Sequence, residues 1–179
     1  MNKAVFFDRD DTLIKNIPYL GDPSNVTLLP GAPAAVSQLK KAGFLLVMIT
    51  NQSGVGRGLI SPEQVKAVND EVMRKIGIEF DAVYMCFDHP DTPKENCRKP
   101  SPKMILQAQK ELHIDPSASF FIGDTYHDIV AGNRAGCRTI LLEHAHKKTE
   151  SRKAEPLANL ISDDLAKITD WILSQNRKT

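Results

Sequence analysis

The chain has 179 residues, of which 41% are hydrophobic and 25% are charged, and its formal net charge is +1. A chain of this length can bury a full core in one domain, and its balanced charge excludes a chain-wide basic surface for nucleic acid or acidic membranes. We therefore expect a single domain over residues 1–179, with no nucleic acid among its partners.

The sequence lacks the features of a membrane or exported protein. Its apolar stretches are all too short to span a bilayer, and the N-terminal apolar segment ends in charge at Asp8, unlike a signal peptide. The three cysteines are an odd number, which argues against a disulfide framework. We predict a reduced, cytoplasmic protein without a membrane partner. We also predict a monomer, because no large apolar stripe is left over once the helices are assigned.

Short apolar runs and helical patterns alternate along the chain. Runs that are apolar at every position predict strands buried on both faces, as in a parallel sheet covered by helices. These runs are Ala4–Phe7, 45–49, 83–85, 120–122 and 140–142. Apolar residues with helical spacing predict helices over 32–42, 61–76, 102–112, 126–136 and after Ser162.

The alternation of strands and helices predicts an α/β three-layer sandwich with a mainly parallel, Rossmann-like sheet. The polar stretch 144–155 predicts a solvated surface loop. Since no insertion is large enough for a separate cap domain, we expect only the loops around residues 15–29 and 86–100 to cover a site.

Polar residues follow the apolar runs, at the points where the predicted strands end. In an open α/β sheet, ligands bind outside the carboxyl ends of the strands, so these residues are expected to meet at one edge. The segments after the first four runs read Asp8-Arg9-Asp10-Asp11-Thr12, Thr50-Asn51-Gln52-Ser53-Gly54, Cys97-Arg98-Lys99-Pro100 and Gly123-Asp124-Thr125-Tyr126-His127-Asp128.

These residue types are the ones that aspartate-based phosphoryl transfer needs. One carboxylate can attack phosphorus, and a second can protonate the leaving alcohol and later deprotonate water. Magnesium binds carboxylate oxygens in near-octahedral geometry. A hydroxyl, backbone N–H groups and a Lys or Arg can neutralise the remaining phosphate oxygens. The pattern therefore favours a phosphoryl-transfer enzyme.

With these motifs in this order, the sequence resembles the haloacid dehalogenase superfamily of phosphatases over essentially the whole chain. Its matches to the four family signatures are Asp8-x-Asp10-x-Thr12, Thr50, Lys99 and Gly123-Asp124-x-x-x-Asp128. More narrowly, it is similar to the histidinol-phosphate and D-glycero-D-manno-heptose bisphosphate phosphatase subfamily. The segments that carry this narrower resemblance are Thr50-Asn51-Gln52-Ser53-Gly54, Gly56-Arg57-Gly58 and Cys97-Arg98-Lys99-Pro100.

The resemblance implies a role for each matching residue. Asp8 would be the nucleophile, and Asp10 would be the general acid and base. Thr50 and Lys99 would bind the transferring phosphate. Mg²⁺ would be held by Asp8, the backbone carbonyl of Asp10, Asp124 and, directly or through water, Asp128. The substrate would be contacted by Asn51, Arg57 and Arg98. Because no cap domain covers the site, selectivity would have to come from a few contacts such as Arg57, Arg98 and Tyr19.

Each of these residues also has a simpler interpretation. Asp and Thr after a strand often only form a turn, Thr50 can merely end a strand, and Lys99 can be a solvated lysine. Asp128 can be favoured by the dipole of a helix that begins beside it, and Arg57 can be a loop residue without a ligand. The order of the four signatures favours the catalytic interpretation over these.

The sequence departs from the family pattern at Asp11, where the family usually has glycine. Glycine at this point permits a tight backbone next to the phosphate. The extra carboxylate either repels the phosphate dianion or turns away from it without effect, and we expect the second.

A second departure lies in the loop where close relatives hold a structural zinc. Cys86 and Cys97 match two of the zinc ligands, whereas Asp88 replaces a His and Glu95 replaces a Cys. Even with a contribution from His89, a carboxylate would be a poor fourth ligand for a structural site. We therefore expect Mg²⁺ as the cofactor and no stoichiometric zinc.

The predicted function is hydrolysis of a phosphomonoester through an aspartyl-phosphate. The resemblance favours D-glycero-D-manno-heptose 1,7-bisphosphate, which would lose its 7-phosphate, with histidinol phosphate as the alternative. A DNA 3′-phosphatase is less favoured, since neither a P-loop nor a basic groove is present. A dehalogenase would need neither Asp10 nor a metal site, and a non-catalytic descendant would be expected to lose Asp8 or Asp10.

Overall fold

The structure, a computed structural model, describes residues 1–91 and 97–176. These residues contain a six-stranded sheet in the order β3-β2-β1-β4-β5-β6, and every neighbouring pair of strands is parallel. The strands are β1 Ala4–Phe7, β2 Leu45–Asn51, β3 Ala82–Cys86, β4 Phe120–Gly123, β5 Arg138–Leu142 and β6 Leu160–Ser162. The predicted α/β fold with a parallel sheet is confirmed.

Helices connect the strands. They are α1 Ala32–Lys41, α2 Ser53–Gly56, α3 Pro62–Ile76, α4 Lys103–Glu111, α5 Tyr126–Arg134, α6 Lys148–Ala154 and α7 Leu165–Asn176. The start of α3 is a capping box, in which Ser61 and Gln64 each accept a hydrogen bond from the other's backbone N–H. The helix ends at Gly77, whose φ of 79° is the left-handed conformation that glycine adopts without strain.

The sheet is the middle of three layers, because alternate residues of its central strands face opposite sides. In β1, Val5 and Phe7 pack with α1, α3 and α7, whereas Ala4 and Phe6 pack with α4 and α5 on the other face. All four side chains are buried. A strand that is buried on both faces has no polar alternation, and this explains the continuously apolar run in the sequence.

Three elements depart from the sequence-based expectations. The stretch 144–155 was expected to be a solvated loop, and this is wrong: it contains a 3-10 turn, Ala145–Lys147, followed by α6. Helix α6 buries only Ser151 and Ala154. Two small buried residues do not give the sequence a repeat of apolar residues at helical spacing. The short edge strand β6 and the one-turn helix α2 were not anticipated either.

Within residues 1–91 and 97–176, no helix is long and apolar enough to cross a membrane.

Candidate active site

The strand order places a cleft above the centre of the sheet. The chain passes from β1 outward to β3 and then returns to the other side of β1 with β4, so the topological switch point lies between β1 and β4. Ligands of open α/β sheets bind at such a point, outside the carboxyl ends of the strands. A cavity of about 570 Å³ lies there and is lined by Asp8, Arg9, Asp10, Asn16, Ile17, Pro18, Tyr19, Asn51, Gln52, Ser53, Gly54, Pro90, Arg98, Lys99, Pro100, Asp124, Thr125, His127, Asp128 and Lys147.

Asp8 and Lys99 form a buried ion pair at the floor of this cavity. Asp8 follows β1, and its backbone N–H donates to Ile122 of β4 (2.9 Å), which fixes the residue between the two strands. The Lys99 ammonium lies 2.6 Å from Asp8 Oδ1 and 2.7 Å from Asp128 Oδ1, and it also donates to the backbone oxygen of Ile49 (2.9 Å). All three ammonium protons therefore have acceptors, and the lysine is held in one position.

Burial and charge act on this pair in opposite directions. Burial raises the pKa of Asp8 well above its ordinary value, Lys99 opposes this rise, and the nearby Asp128, Asp124 and Asp10 add to it. For Lys99, burial lowers the pKa, but Asp128 and Asp8 outweigh burial and the net effect is a raised pKa. The lysine thus stays cationic, and the site holds more carboxylates than Lys99 alone can neutralise.

Asp10 is held in place by Arg9 and Gln52. Arg9 is fully buried and donates to both Asp10 oxygens (2.9 and 3.1 Å), while its Nη1 donates to Asn69 on α3 (3.1 Å). Gln52 Nε2 donates to Asp10 Oδ2 (2.9 Å) and to the hydroxyl of Thr50 (2.8 Å). Both Asp10 oxygens therefore accept hydrogen bonds, but Oδ1 accepts only one, from Arg9, and keeps a lone pair that can take up a proton.

Asn51 and Thr50, at the end of β2, support the site from below. The Asn51 amide accepts a hydrogen bond from the Lys99 backbone N–H (3.0 Å) and donates to the Lys99 carbonyl oxygen (3.3 Å). Asn51 also lines the cavity, whereas Thr50 is fully buried behind it. The predicted contact of Thr50 with phosphate stays a prediction.

The remaining carboxylates come from the end of β4 and the start of α5. Asp128 Oδ2 accepts hydrogen bonds from the backbone N–H (3.0 Å) and hydroxyl (2.6 Å) of Thr125, which leaves Oδ1 for Lys99. Asp124 forms an ion pair with Lys147, whose ammonium also lies 2.7 Å from Asp11 Oδ2. Burial and then Asp128 raise the pKa of Asp124, and Lys147 opposes this.

The donor set fits a magnesium ion. Asp8, Asp124 and Asp128 offer carboxylate oxygens that all lie within 4.8 Å of one another. Mg²⁺ prefers such hard oxygen ligands and retains several waters, and the open cavity leaves room for them. Three clusters of ion pairs at the site contain five carboxylates and three cations, with a formal net charge of −2. They are Arg9 with Asp10, Lys99 with Asp8 and Asp128, and Lys147 with Asp11 and Asp124.

Comparison with known proteins finds relatives that match this chain over nearly its full length. A curated protein of Pasteurella multocida, D-glycero-beta-D-manno-heptose-1,7-bisphosphate 7-phosphatase, is 37% identical over 96% of this chain and 97% of its own length. The enzyme of the same name from Photorhabdus laumondii is 39% identical over 91% of each chain. Residues 96–168 match the HAD-hydrolase-like family model.

This chain belongs to the haloacid dehalogenase-like hydrolases. Among solved structures, the D,D-heptose 1,7-bisphosphate phosphatase of B. bronchiseptica, complexed with magnesium and phosphate, is similar to it with a TM-score of 0.87 and 28% identity, over 97% of this chain and 99% of that one. Within the family, the chain is a phosphatase.

In this family member, the residues predicted to contact substrate lie at different distances from the cavity. Tyr19 lines its rim with a left-handed backbone (φ 53°) and a half-exposed ring, and Arg98 lines it as well. Burial and the neighbouring charge of Arg57 lower the pKa of Arg98, while Tyr19 raises it. Arg57 is exposed and does not line the cavity itself, so its predicted contact would require a substrate that extends beyond the cavity.

The cysteine loop of this hydrolase differs from the expectation. Cys86 and Cys97 are joined by a disulfide, so the prediction of a reduced protein is wrong for two of the three cysteines. Asp88 Oδ2 lies 3.2 Å from the sulfur of Cys97 and 3.5 Å from that of Cys86, whereas His89 contacts Asp91. Glu95 lies outside the described residues.

In this oxidised state the two sulfurs are not thiolates, which are the form that binds zinc. The expectation that the protein holds no stoichiometric zinc stays a prediction, which metal analysis of the purified protein can test.

Several site residues were not anticipated from the sequence. Gln52 and Arg9 stand inside recognised motifs, but their side-chain partners depend on the orientation of those motifs in space. Asn69 lies in the middle of α3 and looks like any polar helix residue. Lys147 belongs to the stretch expected to be a solvated loop, and nothing in its neighbourhood in the sequence indicates that it reaches Asp124.

Proposed function

We propose that this phosphatase removes the 7-phosphate from D-glycero-D-manno-heptose 1,7-bisphosphate, with Mg²⁺ as cofactor and Asp8 as nucleophile. The observation that carries the mechanism is the buried Asp8 carboxylate. It lies against the Lys99 ammonium at 2.6 Å, beside the carboxylates of Asp124 and Asp128, on the floor of the cavity. The choice of substrate is supported by the relatives, which are named D-glycero-beta-D-manno-heptose-1,7-bisphosphate 7-phosphatase and match the chain over nearly its full length.

The reaction has two steps. An Asp8 oxygen attacks phosphorus, the bond from phosphorus to the sugar oxygen breaks, and Asp10 gives its proton to that oxygen. Asp10 then takes a proton from water, whose oxygen attacks the same phosphorus, and the bond from Asp8 to phosphorus breaks to release phosphate. Lys99 stays in place throughout and offsets negative charge next to Asp8.

Asp8, Asp124 and Asp128, with the Asp10 carbonyl, would hold the magnesium ion. When bound, Mg²⁺ supplies positive charge that stabilises the phosphoryl group in the transition state. Arg98 and Tyr19 lie on the cavity lining and would contact the part of the substrate that does not react.

The substrate assignment is tested by measuring kcat/KM with Mg²⁺ for both anomers of the heptose bisphosphate and for histidinol phosphate. We expect a preference for one heptose anomer over histidinol phosphate of at least a hundredfold, which corresponds to about 2.7 kcal/mol at the transition state. Equal or faster turnover of histidinol phosphate would assign the chain to that substrate instead. Cleavage of an aryl phosphate alone would keep the phosphatase and discard both substrates.

The mechanism is tested with two variants and a matched control on the preferred substrate. Asp8→Asn removes the nucleophile and is expected to lower kcat by about four orders of magnitude or more. Asp10→Asn removes the proton donor and is expected to lower kcat by a factor of about 10²–10⁴. Asp70→Asn makes the same change at an exposed site on α3 and should leave kcat unchanged. An Asp8→Asn enzyme with more than a tenth of normal activity would contradict the mechanism.

A further inference from the structure

Lys147 is shared between two carboxylates with different surroundings. Its ammonium contacts Asp124 and lies 2.7 Å from Asp11 Oδ2. Asp124 lines the cavity and belongs to the proposed magnesium site, whereas Asp11 does not line the cavity. Lys147 therefore connects Asp124, which faces the cavity, with Asp11, which does not.

Asp11 is held in position without any help from Lys147. Its backbone is left-handed (φ 53°), and its Oδ1 accepts a hydrogen bond from the backbone N–H of Asn16 (3.0 Å). Its carbonyl oxygen lies 2.7 Å from His144 Nε2, which must donate because a carbonyl oxygen only accepts. The Oδ2 atom of Asp11 is thus a fixed anionic acceptor for Lys147.

Lys147 is ion-paired with both carboxylates, and all three side chains are largely withdrawn from solvent. Their exposed fractions are 22% for Lys147, 12% for Asp11 and 2% for Asp124. A cation this close to Asp124 competes with any metal ion for the same carboxylate.

We propose that Asp11 is a positioning residue that shares Lys147 with Asp124 and so keeps the Asp124 carboxylate available to Mg²⁺. The inference rests on the magnesium site proposed above. If the Asp11 carboxylate is removed, Lys147 has Asp124 as its one remaining anionic partner among the contacts described for it. Magnesium must then displace Lys147 from Asp124, to which Lys147 binds more strongly when it is not shared with Asp11. The residue at this position would thereby set the affinity for metal without touching metal or substrate.

The test is a cycle of four proteins, whose affinity for Mg²⁺ is measured by calorimetry without substrate. They are the natural chain, Asp11→Asn, Lys147→Met and the double variant. Asn tolerates the left-handed backbone and keeps an acceptor for the Asn16 N–H, so Asp11→Asn is expected to fold. Lys148→Met, at the exposed neighbouring lysine, is the matched control and should bind Mg²⁺ like the natural chain.

We expect Asp11→Asn to raise the Kd for Mg²⁺ by about tenfold, which is within the range for residues that orient metal ligands. Lys147→Met should lower the Kd, because the competing cation is gone. In the Lys147→Met background, Asp11→Asn should change the Kd by less than about threefold, since Asp11 then has no lysine to hold.

Three results would overturn the inference. The first is the same increase in Kd on both backgrounds, which would mean that Asp11 acts through its charge alone. The second is an Asp11→Asn protein whose Kd is within twofold of normal. The third is weaker binding by Lys147→Met, which would make Lys147 a support of Asp124 rather than its competitor. A natural chain that binds no Mg²⁺ would instead remove the magnesium site of the proposed function, and this inference with it.

Discussion

Lys99 connects the end of β1, the strand β2 and the start of helix α5 through a single ammonium group. It contacts Asp8 after β1, the backbone of Ile49 in β2 and Asp128 beyond β4. Breaking a buried ion pair by removing one partner leaves an uncompensated charge and costs about 3–5 kcal/mol. The position of the Lys99 side chain therefore depends on neighbours from two strands and a helix, and these neighbours depend on Lys99 in turn.

Gly123→Ala is expected to impair the site by displacing Asp128. A Cβ atom on Gly123 would lie 2.4 Å from Asp128 Cβ and 2.6 Å from its Cγ, so the Asp128 side chain has to shift from the position in which it contacts Lys99. We expect kcat to fall by at least about tenfold, because even a small misplacement of a catalytic group can lower the reaction rate by this much. Steady-state kinetics of the variant measures this.

Gly132→Ala is the matched control for this substitution. Its Cβ would lie 2.6 Å from the Thr139 side chain and 2.9 Å from that of Phe121, so it strains the packing of α5 on the sheet instead of the active site. We expect a lower Tm with a much smaller change in kcat for the protein that remains folded. Equal losses of kcat in both variants would mean that Gly123 has no special relation to Asp128.

Some site residues could be predicted from the sequence, and the reason is topological. Asp8 and Asp124 directly follow buried strands, and parallel strands end at the same edge of a sheet, so their proximity follows from the pattern alone. The hydrogen bond from Gln52 to Asp10 depends instead on the direction of the Gln52 side chain. The contact of Lys147 with Asp124 depends on how a later segment of the chain folds back onto the site. Neither property has a period or a spacing that can be read in a sequence.

At the scale of elements, amphipathic helices and buried strands were predicted well, and the weakly patterned elements were missed. Helix α3 has a capping box, a buried face and a terminal glycine, and each leaves a signal in the sequence. Strand β6 has three half-buried residues at the sheet edge, too few for alternation. Helix α6 is largely polar, and its formation depends on the packing of Ala154 with Ile129 and Leu141.

Ser61→Ala is expected to weaken the start of α3. The Ser61 hydroxyl accepts a hydrogen bond from the Gln64 N–H (3.2 Å), and the loss of such a cap costs about 1 kcal/mol. Denaturant unfolding should show a lower midpoint with an unchanged slope. The change in Tm should be about 2–4 °C for a chain of this size.

Ser174→Ala provides the comparison, because Ser174 is exposed near the end of α7 and its hydroxyl bonds to the Trp171 carbonyl of the same helix. Its effect should stay within about 0.5 kcal/mol. A Ser61→Ala protein as stable as Ser174→Ala would show that the capping box contributes nothing to stability.

At the scale of the whole molecule, charge is distributed unevenly. The chain carries a formal net charge of +1, yet the three clusters of ion pairs at the site have a combined formal charge of −2. Burial and mutual repulsion raise the pKa values of Asp8 and Asp124, so these carboxylates disfavour the folded state until a cation neutralises them. A divalent ion held by these carboxylates would offset this unfavourable contribution to the free energy of folding.

Mg²⁺ is therefore expected to stabilise the folded protein in the absence of substrate. At a concentration of one hundred times Kd, a ligand that binds only the folded state contributes about 2.7 kcal/mol, which corresponds to a Tm higher by roughly 5–10 °C. Thermal unfolding with Mg²⁺, with EDTA and with NaCl of equal ionic strength measures this. Asp124→Asn should lose most of the increase, and an equal response to NaCl would argue against a specific site.

The contacts of the site also connect residues that are far apart in the chain. Lys99 and Asp8 are separated by 91 positions, and Lys147 and Asp11 by 136. Closing such long loops costs conformational entropy that is recovered only when the intervening strands and helices are in place. A refolding chain can thus regain most of its helix content while the reactive aspartate still lacks its lysine. Enzymatic activity should accordingly be among the last properties to return, and it reports on completion of the whole sheet.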